Sequence, residues 1–264
     1  MTIILYDIPS TLKIIAWSPN TWKTRCASTV EQSLPCLFSG CRFCLNYKGI
    51  PYKTQWVDYP DIRDHCMKHG IAPTLKRGEE GPPFTLPAIH DTSTGAYVSD
   101  SFAIAEYLEK TFPDTPPLFP KNTVGLQAAF STVPGNVLAP LFPLTIPCIF
   151  PHLSPKAQAY FRSTREARFG KKIEDIAPKG EEKVKEWAKF RDGMTKLDSW
   201  YAKSGGPFLL EDTLSWADIH IGSLLIWCRL VWGENSQDWA DVESWDGGRW
   251  KRLSERFKEY ETVN

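Results

Sequence analysis

Charge of one sign is what this chain lacks first. Its 31 Lys and Arg balance its 31 Asp and Glu, so composition makes no electrostatic case for a nucleic-acid partner. A long hydrophobic run is missing too. The greasiest stretch, residues 137–150, is interrupted by Pro140, Pro143 and Pro147 and is too short to span a bilayer. No secretory leader is legible, because the apolar run at residues 3–5 is brief and Asp7 cuts it. Paired cysteines are absent as well. The seven Cys are an odd number, and four crowd between positions 26 and 44, unlike a secreted disulfide framework. There is no internal repeat, no phosphate-binding glycine loop and no hydrolase triad. These absences lead us to expect a cytoplasmic protein that binds neither nucleic acid nor membrane.

Aromatics, by contrast, are abundant, with eleven Trp and fourteen Phe. Most must be core, and the surplus suits a pocket for flat apolar ligands. At 264 residues there is room for one large domain or two ordinary ones. The most informative stretch is residues 84–112, which reads as strand, turn, strand, helix. Residues 85–90 have a β-tolerant apolar pattern, 91–95 supply turn residues, and Tyr97 and Val98 form a second short strand. Ser99 is expected to cap the helix, with Asp100 in its first turn and Phe102, Ala105, Leu108 and Phe112 on its buried face. Pro87 stands where a strand should form its ladder, which points to a cis bond or to an edge kept free for a ligand. The Ser99-Asp100-Ser101 start presents N–H groups, a hydroxyl and a carboxylate, enough to hold a ligand's carboxylate and ammonium. On the residues alone, a capped helix after a hairpin is an equal reading.

Residues 2–6 read as the first strand and 53–57 as the second. Between them, Ser18 suits the N-cap and Pro19 the first position of a helix. That helix should continue past Arg25, yet residues 26–42 carry Pro35 and Gly40, and Phe43 onward resumes a helical pattern that ends at Gly49 and Pro51. We read residues 26–42 as an in-frame insertion of retained-intron type, whose removal leaves Arg25 directly before Phe43. The rival reading is a metal site on Cys26, Cys36, Cys41 and Cys44, but the spacing lacks paired knuckles and cuts the helix. His65, Cys66 and His69 are expected on a solvated helix without a metal role.

Residues 113–120, with four prolines, form a linker. The rest is helical: residues 126–133, then a helix opened by Ser154-Pro155 that runs to Gly170, then 181–203 with Val184, Trp187, Met194, Leu197 and Tyr201 on one side. Ser215 and Asp218 have capping-box spacing, with Leu214 and Ile219 placed for a hydrophobic staple. Residues 239–250 read as a polar loop with aromatic punctuation, and 251–260 as a final helix.

The pieces Leu86-Pro87 and Asp100-Ser101, with Ser18-Pro19 after the first strand, resemble the glutathione site of glutathione transferases. The stretches Ala16-Trp17-Ser18-Pro19-Asn20-Thr21-Trp22 and Asn46-Tyr47-Lys48-Gly49-Ile50-Pro51-Tyr52 are most similar to the fungal FuA class, related to bacterial β-etherases. The resemblance covers the chain apart from residues 26–42. It implies an α/β thioredoxin-like N-terminal domain over residues 1–112 and an all-α C-terminal domain over 121–264. It further implies glutathione as co-substrate, no metal, and a homodimer. In that family Leu86 and Pro87 would pair with the cysteinyl backbone of glutathione, and Asp100 and Ser101 would hold its γ-glutamyl end. The Ser18 hydroxyl would stabilise the thiolate, with Asn20 or Thr21 as alternative donors. Three functions follow as expectations. The first is conjugation or reduction of aromatic electrophiles, with a peroxidase side activity. The second is non-catalytic storage of polyphenolic or wood-derived aromatics. The third is thiol–disulfide exchange at Cys41 and Cys44.

Overall fold

The computed structural model describes residues 2–18, 41–74, 83–132 and 139–264. Four short strands form one sheet: β1 (Ile3–Asp7), β2 (Tyr52–Trp56), β3 (Ala88–Asp91) and β4 (Ala96–Ser99), in the order β2-β1-β3-β4. β1 and β2 run parallel with Ile3 opposite Tyr52, whereas β1–β3 and β3–β4 are antiparallel. Parallel neighbours need a crossover, and α1 (Cys41–Tyr47) lies on it. Gly49 then turns the chain into β2 with φ of 65°, a conformation that favours glycine. This is the thioredoxin-like sheet that the resemblance implies.

α1 extends one turn edge further than expected. Cys41 and Arg42, read as the end of the insertion, are helical and fully buried. The reason is Arg42, which reaches Asp7 of β1 at 2.6 Å, with neither side chain exposed, and donates to Tyr52 Oη and Thr54 Oγ1, each at 3.1 Å. Breaking such a buried pair by removing one partner costs about 3–5 kcal/mol. The remaining residues of the proposed insertion lie outside the described residues, as do Cys26 and Cys36 of the metal reading.

After β2, a single 3-10 turn (Tyr59–Asp61) leads into α2 (Ile62–Lys68). This helix is not simply solvated. Ile62 and Cys66 are buried, and the rings of His65 and His69 pack on Tyr6 at 4.5 and 6.3 Å. β4 feeds α3 (Ser101–Thr111). The proline-rich linker that follows is tied down by one buried cation. Lys48 Nζ bonds Glu109 at 2.6 Å and the Pro116 carbonyl at 3.1 Å, while the Leu118 N–H donates to the same Glu109 oxygen.

The second half is helical: α4 (Val124–Phe130), α5 (Leu141–Ile149), α6 (Pro155–Phe169), α7 (Ile173–Ile176), α8 (Gly180–Ser204), α9 (Trp216–Trp232) and α10 (Gln237–Phe257). Expected signals hold at α6, where the Ser154 hydroxyl accepts from the Ala157 N–H, Pro155 is first in the helix, and Gly170 closes it at φ of 62°. The Ser215–Asp218 capping box opens α9, the buried centre of the bundle. At Gly222 a Cβ would stand 2.7 Å from the Phe257 ring, so glycine sets the approach of α10 to α9.

Two expectations fail in the helical half. Residues 239–250 are not a loop but most of α10, whose Trp239, Val242 and Trp245 are buried at three-residue spacing. The helical path breaks only at residues 245–248, where Asp246, Gly247 and Gly248 have positive φ. Val184 is exposed rather than on the buried side of α8. The chain finally returns to the sheet. Asn46 Nδ2 donates to the carbonyls of Tyr260 and Thr262, and the Thr54 N–H donates to the Asn264 carbonyl at 2.8 Å. No helix among the described residues is long and apolar enough to cross a membrane.

Candidate active site

The hairpin β3–β4 and the start of α3 build one side of the site. The Leu86–Pro87 bond is cis, and Pro87 directly precedes β3. Both residues are buried. β4 ends at Ser99, whose hydroxyl donates to the Ala72 carbonyl at 2.7 Å, so Ser99 is not the cap. Asp100 is. Its Oδ1 accepts from the N–H groups of Phe102 at 3.0 Å and Ala103 at 3.2 Å. The expected register was one residue early because both residues are good caps, and a carboxylate that reaches two donors outcompetes a hydroxyl. Asp100 holds this position at φ of 71° and ψ of 126°, a backbone region that costs a non-glycine residue about 1–3 kcal/mol and collects at functional sites.

Ser101 follows with only 1% of its surface exposed, and its Oγ has no hydrogen-bond partner. A buried hydroxyl left unmatched is costly. The cis-proline corner, the strained aspartate and the orphan hydroxyl thus belong to one continuous hairpin-helix unit.

Ser18 comes from a different element. The chain leaves β1, where Tyr6 is opposite Ala88 of β3, and runs through residues 8–17. Trp17 anchors this loop by donating from Nε1 to the Pro9 carbonyl at 3.2 Å. Ser18 ends it, 1% exposed. Asn20 and Thr21 lie outside the described residues.

The cysteine chemistry finds little support. Cys41 and Cys44 are free thiols buried in α1. Burial pushes the Cys41 thiol well up, reinforced by Cys44, Asp100 and Asp7 against the Arg42 cation, and burial pushes Cys44 up as well. A reactive exchange thiol needs the opposite, an exposed and acidified sulfur.

Sequence reasoning missed a cleft of about 310 Å³ beside the cis-proline corner. Ile8, Tyr59, Arg63, Phe84, Leu86 and Tyr160 contribute to its walls. They come from four distant segments, and only α6 carried a signal. Its buried stripe of Ala157, Phe161 and Arg165 has an arginine where a core residue belongs. A second hollow, about 360 Å³ and almost wholly apolar, lies between Leu126, Phe130, Trp200 and Leu209.

Comparison with known proteins accounts for both halves. The family model for the glutathione S-transferase N-terminal domain matches residues 36–111, and that for the C-terminal domain matches 125–260. A glutathione S-transferase of Ceriporiopsis subvermispora, solved in complex with glutathione, is 42% identical with a TM-score of 0.88, covering 99% of this chain and 98% of its own. The glutathione transferase GSTFuA3 of Phanerochaete chrysosporium is 38% identical with a TM-score of 0.87, covering 100% and 99%. Among curated proteins, the glutathione S-transferase-like protein ustS of Aspergillus flavus is 30% identical over 95% of this chain and 86% of its own. Sheet, helical bundle and full-length likeness agree, and the chain belongs to the glutathione S-transferase family.

Proposed function

We propose that this protein binds glutathione against the β3–β4–α3 unit and activates its thiol through Ser18. Leu86 and Pro87 pair with the cysteinyl backbone of the tripeptide. The Asp100 carboxylate and the Ser101 hydroxyl take its γ-glutamyl end, in keeping with the charge and the N–H groups at a helix start. The Ser18 hydroxyl donates to the sulfur. A hydrogen bond to the ionised form lowers a thiol pKa, and the thiolate is the nucleophile. The thiol proton leaves to solvent, a carbon–sulfur bond forms on an aromatic electrophile, and the leaving group departs with its electron pair. The observation that carries this reading is the unmatched buried hydroxyl of Ser101 next to the strained Asp100 cap. Two relatives of similar length, both from Ceriporiopsis subvermispora, were solved in complex with glutathione.

The Ser18→Ala variant tests it. Conjugation of an activated chloroarene should fall at least about tenfold in kcat/KM, the equivalent of about 1.4 kcal/mol, with glutathione affinity little changed. Thiolate absorbance of the bound tripeptide should titrate at higher pH. Undiminished turnover in this variant would remove Ser18 from the mechanism. The storage reading is favoured by one observation, the apolar hollow between α4 and the end of α8. It predicts aromatic binding without turnover in either form.

Residues 26–42 stay in this proposal as an insertion. Their removal places Arg25 before Phe43, in position to pair with Asp7 as Arg42 does. A form lacking them should therefore fold and bind glutathione at least as well as the full chain.

A further inference from the structure

Two arginines of α6, Arg165 and Arg168, have no counter-ion among the described residues. Arg165 is 7% exposed. It donates from Nη2 to Tyr59 Oη at 2.9 Å and from Nη1 to Thr164 Oγ1 at 3.0 Å, and its Nε has no partner. Arg168, one helical turn on, has both terminal nitrogens buried without a hydrogen-bond partner. Burial, then the neighbouring Arg165 charge, lowers Arg168 to about 10. Asp58 and Asp61, on the turn that carries Tyr59, are committed elsewhere. Asp58 accepts from the Tyr59 N–H and the Ser154 hydroxyl, and Asp61 pairs with Lys156. Buried charge without a partner is expensive, so a site that keeps two cations together is built to receive an anion.

Tyr59 connects this pair to the cleft. Its ring forms part of the cleft wall and lies 5.4 Å from Tyr160, while the Arg165 guanidinium sits 5.5 Å from the Tyr59 ring and 4.4 Å from that of Phe161. Because Tyr59 Oη accepts from Arg165, its own proton is left to donate, and no described residue takes it. A phenol polarised from behind by a guanidinium is a charge-assisted donor. Phe84 and Leu86, next to the cis-proline corner, also line it, and the volume suits a ligand of one or two rings.

We propose that this cleft takes a planar aromatic carboxylate as the second substrate, its rings between Tyr59, Tyr160 and Phe84 and its charge answering Arg165 and Arg168 through the Tyr59 hydroxyl. The substrate role rests on the glutathione reading above. Arg63 lines the same cleft and adds a third cation.

The test is calorimetric titration of the full chain with 2-naphthoate and with its neutral counterpart 2-naphthamide. Naphthoate should bind at least about tenfold more tightly, as expected for one charge facing buried guanidinium. Arg165→Met and Arg168→Met should erase the preference. Tyr59→Phe, which keeps the ring and the packing, should reduce it by itself, so that a misfolded arginine variant cannot hide the answer. Equal affinity for the two probes, or a preference that survives in Tyr59→Phe and Arg168→Met, overturns the proposal. So does competition between glutathione and naphthoate for one site, because the charge answered would then belong to the tripeptide. A naphthoate preference in a protein that takes up no glutathione would sink the glutathione reading and leave the anion site standing.

Discussion

Two helix starts in this protein use the same chemistry to opposite ends. α9 opens on Ser215 with Asp218 at its third position, and α3 opens on Asp100 followed by Ser101. At α9 the serine and the aspartate are closed upon each other and upon backbone donors. Asp218 accepts from the Leu209 N–H at 2.8 Å, the Ser215 N–H at 2.9 Å and the Ser215 hydroxyl at 2.8 Å. Its backbone cap is ordinary extended chain, with Ser215 at φ of −136°. At α3 the carboxylate caps from a backbone at φ of 71°, and the adjacent hydroxyl is buried with nothing to bond. A serine and an aspartate at a helix start therefore say little on their own. What separates a folding device from a ligand cradle is whether the polar set is complete without a ligand.

The same substitution at both aspartates should split stability from binding. Asp218→Asn keeps one accepting oxygen but turns an amide toward two donors of Ser215. Leaving buried donors unmatched should cost about 2 kcal/mol of unfolding free energy, read by urea titration, with glutathione affinity of the folded fraction unchanged. Asp100→Asn retains the cap, and asparagine tolerates positive φ. Here unfolding should hardly move, while glutathione affinity falls about tenfold or more with the loss of a charge-assisted bond. If Asp100→Asn damaged the fold and spared binding, the two helix starts would be alike and the cradle reading would be wrong.

Ser101→Ala gives a smaller and more diagnostic effect. Removing a hydroxyl that has no partner should leave the protein as stable or slightly more so, by under about 1 kcal/mol. Glutathione affinity should nonetheless weaken several-fold, seen by calorimetry. A variant that is destabilised by a kilocalorie or more, with affinity intact, would mean that this hydroxyl serves the fold.

Much of this architecture was legible because local signals and burial agree. Ser154-Pro155 and Gly170 bound α6, and Ser215 with Asp218 opens α9, since each supplies a missing backbone partner within a few residues. Pro87 announced its corner for the same reason, as a strand residue without a donor. The one-residue shift from Ser99 to Asp100 was not legible, because both residues are good caps and the Ser99 hydroxyl goes instead to the Ala72 carbonyl, 27 residues away in sequence. α10 was hidden by Asp246-Gly247-Gly248, which reads as an ending. Asp246 is held from both sides, by Trp250 Nε1 four residues on and by Thr195 Oγ1 of α8, each donating to its carboxylate. Of the cleft only the arginine in the buried stripe of α6 left a signal, since Ile8, Tyr59, Phe84 and Tyr160 meet only in the folded chain.

The smallest expected effect tests whether an orphaned polar atom is by itself a mark of function. His65 Nε2 is also buried without a partner, yet it lies under the sheet's own aromatic cluster, against Tyr6 at 4.5 Å and His69 at 4.6 Å. Burial, then the His69 and Lys68 charges, lowers its pKa below the ordinary 6.5. The unfolded chain therefore takes up a proton at this residue before the folded protein does. Stability contributed by neutral His65 is full above pH 6.5 and is lost as pH falls from there through the folded value. His65→Phe should keep the ring contact and flatten that part of the melting-temperature profile between pH 7.5 and 5.5, with glutathione affinity the same at each pH. The histidine orphan would then register only in acid stability and the Ser101 orphan only in binding, because one faces packed rings and the other stands beside a helix start and a cis-proline corner. If His65→Phe instead altered glutathione uptake, proximity to that corner would no longer distinguish the two.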